Sequence, residues 1–153
     1  MANVTIQPGD PGSPDVRKLI EQLDRYLGGL YPPESNHLLS IDALRHPSVT
    51  FLTAMLDGQL VGCGALVDHG EYGELKRMFV LPQCRGLRIG RLLLEELEAR
   101  ARSAGLPVVR LETGIHQPGA LRLYERAGYR RRDPFGEYGP DPLSVFMEKQ
   151  SAV

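Results

Sequence analysis

The sequence predicts an α/β fold, a mixed sheet with helices on both faces, and two observations predict it. Segments with strand character and segments with helical periodicity interleave in the order β-α-(α)-β-β-β-α-β-α-β along 153 residues. An Asp57-Gly58 pair also joins two β-rich segments, a strong signal for an antiparallel hairpin. One domain over 1–153 is long enough to bury a core without disulfides or metal.

Each element has its own reason. Val4 and Ile6 alternate with Thr5 and Gln7, as in a short strand, and a Pro-rich turn follows. Ser13-Pro14 reads as a helix cap and first helical residue. Val16, Leu19, Ile20, Leu23 and Leu27 then recur at helical spacing, and Gly28-Gly29 is expected to stop the run. Residues 31–36 (YPPESN) are expected to be loop, because Pro32-Pro33 forbids helix continuation. A short helix is expected near 41–45, and strands at 49–56, 60–67 and 73–81, the last stopped by Pro82. Ile89, Leu92, Leu93 and Leu97 mark an amphipathic helix, with Glu96–Arg100 and Glu98–Arg102 as favourable i,i+4 pairs. Gly105 and Pro107 end it. A strand at 108–113 precedes a helix opened by Pro118, carrying Ala120, Leu123, Tyr124 and Ala127 on one stripe and closed by Gly128. Residues 143–148 read as the last strand. No internal repeat, linker or low-complexity tract interrupts the chain.

Composition narrows the function classes. A formal net charge of −1 gives no global attraction to nucleic acid or an anionic membrane. The Arg130-Arg131-Arg132 run lacks interleaved aromatics and reads as a solvated strand end. No apolar run approaches the roughly 20 residues that span a bilayer, and residues 1–10 lack the pattern of a secretory signal, so a cytoplasmic location is expected. Cys63 and Cys84, the two cysteines, have no metal-ligand spacing, and no histidine pair has helical ligand spacing, so no metal site is expected.

The most informative stretch is a strand, then Arg85-Gly86-Leu87-Arg88-Ile89-Gly90, then a helix. Such a turn aims successive backbone N–H groups at one spot, and the helix N-terminus adds about half a positive charge. Arg85, Arg88 and Arg91 add three cations, which makes a site for a pyrophosphate or other polyanion. The spacing fits neither G-x-G-x-x-G nor a P-loop. A solvated basic helix start would read the same way from this turn alone.

Arg85-x-x-Arg88-x-Gly90 resembles the (Arg or Gln)-x-x-Gly-x-(Gly or Ala) motif of the GNAT superfamily of acetyl-CoA-dependent N-acetyltransferases, and residues 120–129 (ALRLYERAGY) resemble its A-x-x-L-Y-x-x-x-G-(F/Y) signature. The two occur in the family's order and spacing, and the element pattern is similar across nearly the whole chain. More narrowly, the Pro-Pro-Glu-Ser loop, residues 62–66, 111–114, 134–135 and 144–147 resemble a poorly characterised branch of small bacterial members. The resemblance implies a splayed sheet with acetyl-CoA wedged where two central strands, bearing Val80 and Val109, separate. It places the pyrophosphate on Arg85, Gly86, Leu87, Arg88, Ile89, Gly90 and Arg91, and the acetyl-pantetheine arm along Met78, Phe79 and Val80. Gln117 stands where many members carry asparagine. Arg88 stands where the motif has glycine; arginine can occupy the turn if its φ stays negative, and its guanidinium could reach the phosphates.

The implied reaction is attack of an amine on the thioester, with no covalent acyl-cysteine. Tyr124 is the candidate general acid toward the sulfur, against the alternative of a packed core tyrosine. Glu74, eleven residues before Arg85, is the candidate base, against a strand glutamate paired with Lys76 or Arg77. Glu112 and His116 compete for that role, and so does a water chain. The acceptor is expected to lie between residues 31–37 and 133–142, whose Glu34, Asp133, Glu137 and Asp141, with Tyr31, Phe135 and Tyr138, suit a cationic, partly apolar amine. Arg77 and His116 complete the expected acceptor wall, Arg77 by reading an acceptor carboxylate. The expected partner is a small-molecule amine, with homodimerisation open and neither nucleic acid nor membrane involved. A protein lysine or N-terminus as acceptor, or a non-catalytic acyl-CoA-binding module, are the alternatives.

Overall fold

The computed structural model describes residues 3–151. Seven strands form one sheet in the order β1-β2-β3-β4-β5-β7-β6. In chain order the elements are β1 (Val4–Pro8), α1 (Pro14–Leu30), α2 (Ile41–Leu44), β2 (Val49–Leu56), β3 (Gln59–Asp68), β4 (Gly73–Val80), α3 (Ile89–Ser103), β5 (Val108–Gly114), α4 (Pro118–Arg126), β6 (Arg130–Arg132) and β7 (Ser144–Gln150). The β4–β5 pair is parallel and every other pair is antiparallel, so the sheet is mixed, as expected.

Two hydrophobic cores sandwich the sheet. On one side Ile89, Leu93, Leu94 and Leu97 of α3 pack with Tyr124 and Ala127 against Leu52, Ala54, Leu75 and Met147. On the other, Val16, Leu19, Ile20 and Leu23 of α1 pack with Leu44 against Phe51, Cys63 and Phe79. Ser13 caps α1 by accepting from the Val16 N–H, as its position predicts.

Helix α1 runs through Gly28-Gly29 to Leu30 and stops where Tyr31 turns extended, so the glycines do not end it. The buried stripe of α3 includes Leu94 and Ala101, while Leu92 is exposed. Glu96–Arg100 forms on the outer face. Glu98 does not pair with Arg102; it turns inward to accept from the Tyr129 hydroxyl at 2.8 Å and Lys149 Nζ at 3.1 Å. A tertiary partner 31 residues away outweighs a local i,i+4 contact because the buried carboxylate must be satisfied. The arginine run forms the edge strand β6, held by Arg132–Glu148 and Arg131–Glu125 ion pairs.

One irregularity matters for the site. β3 and β4 lose register between Cys63 and Ala65, so Arg77 and Met78 bulge opposite Gly64. Arg77 takes φ 57° there. A Cβ on Gly64 would meet Met78 Sδ at 2.5 Å and Leu97 Cδ1 at 3.0 Å, so only glycine lets the bulge and α3 approach together. Leu97 is fully buried. Leu97→Ala should therefore cost about 2–5 kcal/mol, read as a lowered urea midpoint with an unchanged m-value; a loss of stability under about 0.5 kcal/mol would contradict this packing.

Candidate active site

Strands β4 and β5 pair over three residue pairs only, Gly73–Val109, Glu74–Arg110 and Leu75–Leu111. Beyond Leu75, β4 stays with β3 while β5 stays with β7 to its end at Gly114. The two central strands thus separate, and a cleft of about 90 Å³ opens between them, floored by Leu75, Met78, Glu112, Thr113 and Tyr124.

At one end of this gap lies the arginine turn. A single 3₁₀ turn, Pro82–Cys84, follows β4, and Gly86 then takes φ 86°. Arg88 takes φ 64°, so the condition of a negative φ is not met. The turn keeps the left-handed geometry for which the motif uses glycine, and arginine bears a cost of about 1–2 kcal/mol. Arg88 is the N-cap residue of α3 and its side chain caps nothing, so the first N–H groups of a 15-residue helix face outward without a side-chain acceptor. Arg85 lies over the Tyr26 ring and Arg91 pairs with Glu95, which leaves Arg88 without an ion pair among the described residues. Leu87 is exposed, whereas Ile89 is buried in the core and offers a ligand only its backbone. Phe79 is likewise core, and Val80 packs toward α3, so β4 presents mainly its backbone here. The turn offers a polyanion uncapped amides, a helix dipole and a guanidinium without an ion pair among the described residues.

At the other end, Tyr124 is buried and lines the cleft. Burial, and next the charge of Glu112, hold the pKa of its hydroxyl well above the phenol's ordinary value. Glu112 lines the same cleft; one oxygen accepts from Ser144 Oγ at 2.8 Å. Burial raises its carboxyl above the usual range, only partly offset by the Ser144 bond and by His37 and Lys76.

Glu74 is placed differently. It is buried but does not line the cleft: His69 Nε2 lies 2.9 Å from one oxygen, and the Tyr138 hydroxyl donates to the other at 2.5 Å. Tyr138 and Phe135 cover it with Tyr72 and Phe146 in an edge-to-face cluster. Of the two pairings weighed for Glu74, Lys76 is the partner, at 3.7 Å. Arg77 is also spoken for: Nε donates to the Leu39 carbonyl at 2.9 Å and the guanidinium pairs with Asp24, so it is not free to read an acceptor carboxylate. Glu34, Asp133 and Glu137 are exposed and line no part of the cleft, and Asp141 accepts from the Leu143 N–H at 2.9 Å.

Residues 31–39 cross the cleft and are tied down on both sides. The Tyr31 hydroxyl accepts from the His116 N–H at 3.0 Å and donates to Gln117 Oε1 at 3.3 Å, while its ring stacks on His116. Gln117 Oε1 also accepts from the Gly114 N–H. Lys76 Nζ donates to the His37 carbonyl and the Tyr138 hydroxyl, each at 2.7 Å. A Cβ at Gly114 would fall 1.8 Å from the Tyr31 oxygen. No sequence signal joins Tyr31 to Gly114 and Gln117, more than 80 residues apart; only the sheet brings them together.

Both cysteines are buried, and burial pushes the Cys63 thiol up to about 12, which suits a packed thiol rather than a nucleophile. No cluster of metal-ligating side chains occurs among the described residues, and no helix is long and apolar enough to cross a membrane.

Comparison with known proteins agrees with this geometry. An IAA acetyltransferase from Azospirillum brasilense is 55% identical over 151 residues, covering 97% of this chain and 99% of the relative. The structure superposes with a TM-score of 0.82 on a Klebsiella pneumoniae protein assigned as an acyl-CoA N-acyltransferase, 40% identical and covering 97% of this chain and 98% of that one. It shares its fold, at TM-score 0.76 and 22% identity, with the PaiA N-acetyltransferase of Thermoplasma acidophilum, solved with coenzyme A; the match covers 97% of this chain and 99% of that one. Residues 16–129 match the profile of the Acetyltransferase (GNAT) family, and with these relatives the chain belongs to that family of acetyltransferases.

Proposed function

We propose that the protein transfers the acetyl group of acetyl-CoA directly to the primary amine of a small molecule, with Glu112 as base and Tyr124 as acid. The observation that carries this reading is the tied-down 31–39 segment, which roofs the cleft from both sides. A protein lysine or N-terminus would need an open groove there. The Azospirillum relative, named for IAA, also supports a small acceptor.

Residues 86–91 would hold the cofactor's pyrophosphate through the uncapped N–H groups of α3 and the free Arg88 guanidinium. When bound, acetyl-CoA supplies an activated acyl group whose sulfur must leave with a proton. An alkylamine has a pKa near 10.4, so only about one molecule in 10³ is neutral at pH 7, and a positioned base is worth about 10²–10⁴-fold. The Glu112 carboxylate lines the cleft with one oxygen outside its Ser144 bond, so it is placed to take the amine's proton. Tyr124 stays protonated through the neutral range because burial opposes the phenolate, and its hydroxyl can give a proton to the departing sulfur. Glu74 has both oxygens occupied, and its part is to hold Tyr138 and, through it, Lys76.

Glu112→Gln should lower kcat by about 10²-fold or more and remove the acidic limb of kcat/KM. Because burial raises its pKa, that limb should lie above the ordinary carboxylate range, the rate rising as Glu112 loses its proton. Glu74→Gln should keep the limb. Tyr124→Phe should slow single-turnover transfer by about tenfold or more with CoA affinity intact. An unchanged limb in Glu112→Gln would remove that residue from the base role.

The roof gives a separate test. Tyr31→Phe removes both hydroxyl bonds and Gly114→Ala drives the ring away, so each should raise the acceptor KM at least fivefold while leaving the dissociation constant of CoA within twofold, read by steady-state kinetics and calorimetry. Unchanged acceptor KM in both variants would mean that the 31–39 segment does not form the acceptor site.

A further inference from the structure

Strands β4 and β5 make their last pair at Leu75–Leu111, so Lys76 and Glu112 are the next residues on each strand and stand at the fork where the two part. Both line the cleft. Lys76 is buried against the habit of lysine: its side chain is only 12% exposed, although an ammonium is strongly hydrated in water. Its Nζ donates to the His37 carbonyl of the roof and to the Tyr138 hydroxyl of the loop after β6, each at 2.7 Å. Tyr138 in turn donates to Glu74, whose other oxygen faces His69. One ammonium therefore joins the roof and the second flanking loop to β4. Its charge also reaches Glu112. Around that carboxylate stand His37 and Tyr31 of the roof, Lys76 and Glu74 of β4, Ser144 of β7 and Tyr124 of α4. Burial raises the Glu112 pKa; Ser144, His37 and Lys76 draw it back, and Glu74 adds to the rise. Burial lowers the Lys76 pKa, and Glu74 and then Glu112 oppose that fall. Each charge of the pair thus favours the other.

We infer that Lys76 is a positioning residue for the transfer: its buried ammonium latches the roof over the acceptor and holds Glu112 as the carboxylate that takes the amine's proton. A neutral donor of similar reach could make both hydrogen bonds; only a cation favours an ionised Glu112. The two roles meet in one atom, since the bond to the His37 carbonyl that holds the roof also fixes Nζ beside the fork. The inference rests on the acetyltransfer, and on Glu112 as its base, proposed above.

Carboxyl NMR of protein isotopically labelled in its glutamate side chains reads the Glu112 titration without any acceptor, the signal being assigned by its loss in Glu112→Gln. Lys76→Met should move that titration to higher pH by about 0.5 or more. It should also speed amide exchange across residues 31–39 by about tenfold or more, with the dissociation constant of CoA kept within about twofold. Lys76→Gln, which keeps a donor but no charge, should move the titration the same way, and it serves if Lys76→Met fails to fold. Tyr138→Phe should speed the exchange and leave the titration in place, and Lys76→Arg should keep the titration near its wild-type position. Thiol release from acetyl-CoA with hexylamine, 1,6-diaminohexane and 6-aminohexanoic acid completes the test: the acidic limb of kcat/KM should move with the Glu112 titration. A wild-type titration in both Lys76→Met and Lys76→Gln, or wild-type exchange in both Lys76→Met and Tyr138→Phe, overturns the inference while transfer itself stands. CoA binding by calorimetry with no transfer to any of the three amines overturns the transfer reading and the inference with it.

Discussion

The parting of β4 from β5 is the constraint on which the rest of the site depends. Three residue pairs join the strands, and after Leu75 each follows its other neighbour. A continuous parallel ladder would leave no cleft between Met78 and Glu112. The bulge at Arg77 and Met78 sustains the parting, and it is possible because Gly64 leaves room for Met78 under Leu97. The same bulge turns Arg77 toward Asp24 and the Leu39 carbonyl, so the defect that opens the cleft also anchors the segment that covers it.

Around this gap, buried polar groups separate into satisfied and unsatisfied sets. Glu74, Lys76, Tyr138 and Arg77 engage one another, nearby carbonyls or the half-exposed Asp24, as buried charge requires. Glu112 and Tyr124 are left with free valence toward the cleft. Burial raises both pKa values, but with different chemical consequences: it brings a carboxylate nearer to a useful base and keeps a phenol a proton donor. Incomplete satisfaction, more than residue type, separates the proposed reactive pair from Glu74.

Local pattern made much of this legible. The Asp57-Gly58 hairpin, the stripe of α3 and the arginine turn ahead of it all follow from short-range spacing, and Tyr124 is marked by its signature stretch. Tertiary contacts overrode local rules at specific points. Gly28-Gly29 stays helical within α1, Glu98 prefers Tyr129 and Lys149 to Arg102, and Arg88 adopts a left-handed φ that its side chain disfavours. The choice between Glu74 and Glu112 was not legible, because both alternate along strands with suitable neighbours. Only the fold reveals that Tyr138, 64 residues away, occupies Glu74. The Tyr31 tie to Gly114 and Gln117 was hidden for the same reason.

A crystal structure of the protein with acetyl-CoA would decide whether the β4–β5 gap is where transfer occurs. The pyrophosphate should lie on the backbone N–H groups of residues 86–91, the pantetheine arm between β4 and β5, and the sulfur within hydrogen-bond distance of the Tyr124 hydroxyl. A thioester lying outside the β4–β5 gap, or a sulfur facing another donor with Tyr124 sealed in the core, would contradict that assignment.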